Sequence, residues 1–146
     1  VTPPLEKEDH HPFLIVTKDQ FQSLRNKSSV EPWKSMKEDA IARAGDGAGT
    51  DPYDLQYYVG ATALAYILDE DNAQSYANRV RDAILNKYSK VEFEDGGSWG
   101  GVVPPMGSIF VAILALDIVY DALPIEDIVA CEQVISRLPG LGVTAR

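Results

Sequence analysis

The stretch Asp51-Pro52-Tyr53-Asp54-Leu55-Gln56-Tyr57-Tyr58-Val59-Gly60-Ala61-Thr62-Ala63-Leu64-Ala65-Tyr66-Ile67-Leu68, continued after Asp69-Glu70-Asp71 by Asn72-Ala73-Gln74-Ser75-Tyr76-Ala77-Asn78-Arg79-Val80, decides the fold. Aspartate followed by proline is a helix start: the carboxylate accepts from the free N–H groups of the first turn, and proline at the first helical position forfeits no hydrogen bond. From Tyr53 to Leu68 apolar residues occupy nearly every side, which predicts a helix buried over most of its surface, with Tyr57 and Leu64 inside. The pattern then changes. Ala73, Tyr76, Ala77, Val80, Ile84 and Tyr88 recur at i, i+3 and i+4, while Arg79, Arg81, Asp82 and Lys87 fall elsewhere and are expected in solvent. An inner helix, an acidic turn and an amphipathic outer helix make one helical hairpin.

The same alternation returns downstream. Met106–Leu123 is almost wholly apolar, with Ile113 and Leu116 predicted inside, and the segment from Pro124 to Leu138 carries Ile125, Ile128, Val129, Ile135 and Leu138 as a stripe, leaving Glu132 outside. Upstream, Thr17-Lys18-Asp19-Gln20 has the spacing of a capping box and opens a short helix through Phe21 and Leu24 to about Asn26. Glu31-Pro32 starts another, in which Trp33, Met36, Lys37, Ala40, Ile41 and Ala44 mark one face up to about Gly45, and Trp33 reads as a core side chain. The expectation is an all-α protein of six main helices in three antiparallel hairpins. No segment alternates long enough to demand a strand, although Lys90–Glu94 suits a short extended piece. The inner-and-outer alternation suits part of an incomplete (α/α) toroid, whose inner helices line a concavity. Residues 1–12 should be an extended arm, 13–138 the helical domain, and 139–146 a tail that reads as cut short.

Composition narrows the partners. The chain of 146 residues carries 22 acidic and 13 basic residues, a net charge of −9, which repels a nucleic-acid backbone or an anionic membrane surface. The longest apolar run, Ile109–Leu116, is far short of the roughly 20 residues of a membrane span. The sequence opens on Val1 with no leader pattern, so we expect a processed or trimmed chain that is secreted, to the periplasm or the extracellular space. Cys131, the single cysteine, shares a stripe with Ile128 and Ile135 and reads as a buried thiol. Asn26-Lys27-Ser28 is a glycosylation sequon, used at Asn26 only if a eukaryote secretes the chain.

Few residues carry chemistry. In the loop Glu92–Gly101 four glycines surround Trp99, leaving an indole face that either stacks on a sugar or plugs the ends of the inner helices. Asp117 and Asp121 interrupt an apolar helix at i, i+4 and share a face. They are either substrate-binding carboxylates or partners of a neighbour's basic residue. His10 and His11 should be solvated or locally hydrogen-bonded rather than metal ligands, because neighbours in an extended arm point to opposite sides. The loop Gly45–Thr50 lacks the lysine of a phosphate-binding loop, and no Ser-His-Asp or Cys-His centre is apparent. No cofactor is expected.

His11-Pro12-Phe13-Leu14-Ile15-Val16 followed by Thr17–Lys27, Ala61–Ala77 with its acidic turn and Tyr76-Ala77 pair, and Ala115–Leu123 with Tyr120-Asp121 near its end resemble the alginate lyase and heparinase II/III type polysaccharide lyases over roughly residues 11–138. Each match is a helix-packing pattern. The resemblance implies an (α/α) toroid, a secreted protein, and β-elimination on a uronic-acid polysaccharide: carboxylate neutralisation, removal of the C5 proton by a base, and protonation of the leaving oxygen by an acid, often tyrosine. The family's Asn-His, Tyr and Arg positions fall beyond the stretch matched, so no catalytic residue is assigned, and the chain is expected to be an amino-terminal scaffold segment of such a lyase. A net charge of −9 is poor for attracting a polyanion unless a basic cleft lies elsewhere. Asp95–Gly101 is also similar to the Asp-Gly-Ser-Trp-Gly loops of terpene cyclases, with Gly97 inserted and no Asp-x-Asp-Asp motif. The third class is a non-enzymatic helical binding module.

Overall fold

The structure, a computed structural model, describes residues 4–91 and 103–138. They are all-α: α1 (Phe21–Lys27), α2 (Trp33–Asp46), α3 (Pro52–Leu68), α4 (Ala73–Asn86), α5 (Val103–Val119) and α6 (Ile125–Ser136), joined by short 3-10 turns, with no strand among the described residues. Trp99, the glycine loop around it, most of Lys90–Glu94 and the tail lie outside the described residues. No helix among the described residues is long and apolar enough to cross a membrane.

The helix starts follow local chemistry. Asp51 accepts from the N–H groups of Tyr53 and Asp54, both at 3.0 Å, with Pro52 in the first turn. Gln20 Oε1 accepts from Thr17 N–H at 2.9 Å, closing the capping box ahead of α1. Helix α2 runs to Asp46, where Gly47 takes φ +73°, a left-handed turn that a side chain would strain. Across this linker Arg43 pairs with Asp54, whose other oxygen accepts from Gly49 N–H at 2.9 Å.

Helix α3 is the centre: α1, α2, α4 and α5 all pack on it, and α1 and α2 rest chiefly on α3 rather than on each other. A methyl placed on Gly60 would lie 3.4 Å from Val111 Cγ1, and one on Gly107 would lie 3.3 Å from Gln56 Oε1. Positions 56 and 60 of α3 therefore meet 107 and 111 of α5. The two apolar helices run parallel and in step, backbones drawn together by two glycines. The outer helices α4 and α6 pack on each other behind them. Leu55, Val59, Val80, Ile84, Ile109, Val119, Ile128 and Cys131 are fully enclosed in this core.

Several burial expectations need correction. Tyr57 is 67% exposed, because it projects from a face of α3 that no helix among the described residues covers. Leu64 is half-buried for the same reason and Ile113 is half-buried beside a cavity under the amino-terminal arm, whereas Leu116 is buried. Trp33 and Met36 are exposed: α2 meets α3 through the small residues Ala40 and Ala44, and the Trp33 ring instead takes Lys27 Nζ at 4.1 Å from its centroid. Arg79, Arg81 and Lys87 are half-buried rather than solvated, while Glu132 is exposed. Arg79 donates to Ala44 O at 2.6 Å and Arg81 to Asp127 at 3.0 Å, so these side chains fasten α4 to its neighbours.

Two outcomes follow from this packing. Gly60→Ala adds ordinary van der Waals contact and helix propensity and should raise unfolding free energy by up to about 1 kcal/mol, whereas Gly60→Leu overpacks the seam and should lower it by about 1–3 kcal/mol, both read by urea denaturation. Burial pushes the Tyr88 phenol and the Cys131 thiol up to about 12 from ordinary values of 10.0 and 9.0. Desolvation, with the Asp69 carboxylate that its hydroxyl donates to, takes Tyr76 to about 12 as well. The folded chain thus holds protons that the unfolded chain releases, so this stabilisation is whole below pH 9 and is lost as pH climbs towards 12. Melting temperature should fall through that window, with tyrosinate absorbance and loss of helical circular dichroism appearing together.

Candidate functional site

Two surfaces present chemistry. The first is the open face of the inner helices. Tyr53 and Tyr57 stand one turn apart on α3, about 5–6 Å between their Cβ atoms, and both are more than half exposed. On α5 Phe110 is 53% exposed. Because Gln56 and Gly60 meet Gly107 and Val111 at the seam, the helical register sets Tyr53, Tyr57 and Phe110 on the same side of it, away from α4 and α6. They form an aromatic face flanked by the half-buried Leu64 and Leu114. Sequence reading missed it by treating an all-round apolar helix as buried all round. The available signal was the pair of tyrosines at i, i+4, whose hydroxyl tips suit a half-wet helix side.

The second is the amino-terminal arm, which crosses the carboxyl end of α5. Asp117, buried, is its anchor: Oδ1 lies 2.6 Å from His11 Nδ1, and Oδ2 accepts from the N–H groups of Phe13 and Leu14 at 3.1 and 3.0 Å. The His11 ring stacks on Tyr120, centroids 3.9 Å apart. Lys7 Nζ donates to the carbonyls of Tyr120 and Asp121. Asp121, one turn on, takes Lys18 Nζ at 3.0 Å, and that partner holds the lysine ammonium above its ordinary range. The shared face expected for Asp117 and Asp121 is therefore real, and both carboxylates clasp the incoming chain. Beneath the arm lies a largely apolar cavity of about 260 Å³ between Phe13, Leu14, Ile113 and Ile135, with Asp117 and Glu132 as its carboxylates.

The expectation that His10 and His11 point apart fails, because the arm bends at Asp9 and His10 and the two rings stack 4.9 Å apart. Glu8, His10 and His11 gather there, their ligand atoms within 4.8 Å of one another. Asn26 is exposed at the end of α1, where its side chain accepts from Gln22. Cys131 is fully enclosed and, by burial, poorly ionised. No family model, curated protein or solved structure matches this chain.

Replacing the anchor tests the arm. Asp117→Ala strands its donors and should cost about 3 kcal/mol, with protease cutting within residues 4–16 before the helical body. Asp117→Asn keeps one acceptor and should lose less by both readouts.

Proposed function

We propose that this chain is the helical scaffold segment of a secreted polysaccharide lyase acting on a uronic-acid polymer, contributing saccharide contacts while the residues of β-elimination lie outside it. The observation that carries this reading is the parallel, in-step pair α3 and α5 backed by α4 and α6, with aromatic side chains on its open face. Parallel inner helices behind which outer helices return are what a toroid repeats around its axis, and exposed aromatic faces stack on sugar rings. Trp99, outside the described residues, is the further side chain we propose for sugar stacking. Asp117 and Asp121 would shape the rim of the open face, and the exposed Asn26 would carry a glycan where a eukaryote secretes the chain.

The net charge of −9 favours a second reading, a non-enzymatic module for neutral saccharides, because a polyanion meets repulsion here. Titration with oligouronates beside neutral oligosaccharides separates the two. Tyr57→Ala should weaken binding of the preferred saccharide about fivefold, the loss of one stacked ring at roughly 1 kcal/mol, with little change in melting temperature because the ring is exposed. The chain alone should release no ultraviolet-absorbing unsaturated product from a polyuronate. Product formation would place elimination chemistry within it, and no binding of either saccharide class would remove the sugar face.

A further inference from the structure

The bend at Asp9 and His10 folds Glu8 back towards both histidines. Glu8 Oε2 lies 3.3 Å from His10 Nε2 and 3.2 Å from His11 Nε2. The other nitrogen of His11 is committed to the buried Asp117 at 2.6 Å. With the Nδ1 proton donated to that carboxylate, the lone pair on His11 Nε2 faces Glu8. That lone pair and the Glu8 carboxylate repel each other unless a proton on His11 Nε2 or a shared cation lies between them. His10 Nε2 meets Glu8 either as a neutral N–H donor or as a second ligand of such a cation.

The geometry suits the cation. In a tetrahedral zinc site with bonds of about 2.0–2.2 Å, neighbouring ligand atoms stand about 3.3–3.6 Å apart, close to the two edges from Glu8, 3.2 and 3.3 Å, while the ligand nitrogens of the two histidines lie within 4.8 Å of each other. Two imidazoles and one carboxylate are a zinc-type donor set, whereas calcium and magnesium seek oxygen alone. A carboxylate that fixes a histidine through its far nitrogen is the usual support behind a metal-bound imidazole. Glu8 and Asp117 together balance a charge of two. We propose that Glu8, His10 and His11 bind one divalent transition-metal cation of the zinc class, with Asp117 orienting His11 from behind, and that the ion pins the arm to the end of α5. A fourth position is left for water. The aromatic face contributes nothing to this site, and the two stand or fall separately.

The metal-free chain is titrated with Zn²⁺ by calorimetry and by thermal melting, with Co²⁺ as a visible-absorbing probe of four-coordinate geometry. One equivalent should bind saturably and raise the melting temperature, Mg²⁺ and Ca²⁺ should not, and bound Co²⁺ should show the strong visible bands of a tetrahedral site. His10→Ala and Glu8→Gln change exposed side chains, so the metal-free melting temperature should hardly move, while zinc affinity drops at least tenfold in each. Absence of saturable uptake by the unmodified chain would mean that protons alone hold the cluster. Unchanged affinity in both variants would put the ion elsewhere. Either result overturns the proposal.

Discussion

Two helices that are apolar on nearly every side cannot each be sheltered by a single neighbour, and the molecule is arranged around that constraint. Helices α3 and α5 shelter one another along a seam narrowed by Gly60 and Gly107, and α4 and α6 close over their backs. Burial on two sides of each inner helix removes the largest apolar area, which is where most of the favourable free energy of folding arises. Among the described residues the third side is left open along much of its length, and tyrosine and phenylalanine rings stand on it. Everything else hangs on this pair: α2 closes one flank through alanines, α1 rests on the same central helix, and the arm is fastened where α5 ends.

Much of the scaffold was legible. Proline-led starts, the capping box and the change from all-round apolarity to an i, i+3, i+4 stripe mark local rules whose partners sit within a few residues, so sequence order reveals them. Burial of Cys131 and Leu116 followed from the same periodicity. Trp33 and Tyr57 were misplaced because periodicity reports which residues share a helix face and not how many faces find a neighbour. Arg79 and Arg81 looked like a solvated face, yet each long side chain lays its stem on the protein and sends its head to a carbonyl or carboxylate of another helix.

The candidate sites were less legible, since each is assembled across a long stretch of chain. Asp117 is an ordinary interruption of an apolar helix until the arm supplies His11 and two backbone N–H groups. Adjacent histidines look divergent until a bend turns both rings to one side. Neither event leaves a spacing signature. Aromatic residues on an inner helix are ambiguous in the same way, because the ring that fills a core and the ring that meets a sugar are the same chemical group.

The arm's anchorage also has a meaning in time. His11 and Asp117 are separated by 106 positions, so on a ribosome adding about 5–20 residues per second the arm waits roughly 5–20 s for its anchor to be made. The arm is made long before the helix end on which it settles. Throughout that interval Phe13 and Leu14 have no cavity to approach, and the nascent chain carries apolar side chains whose safekeeping falls to chaperones or to the speed of translation itself.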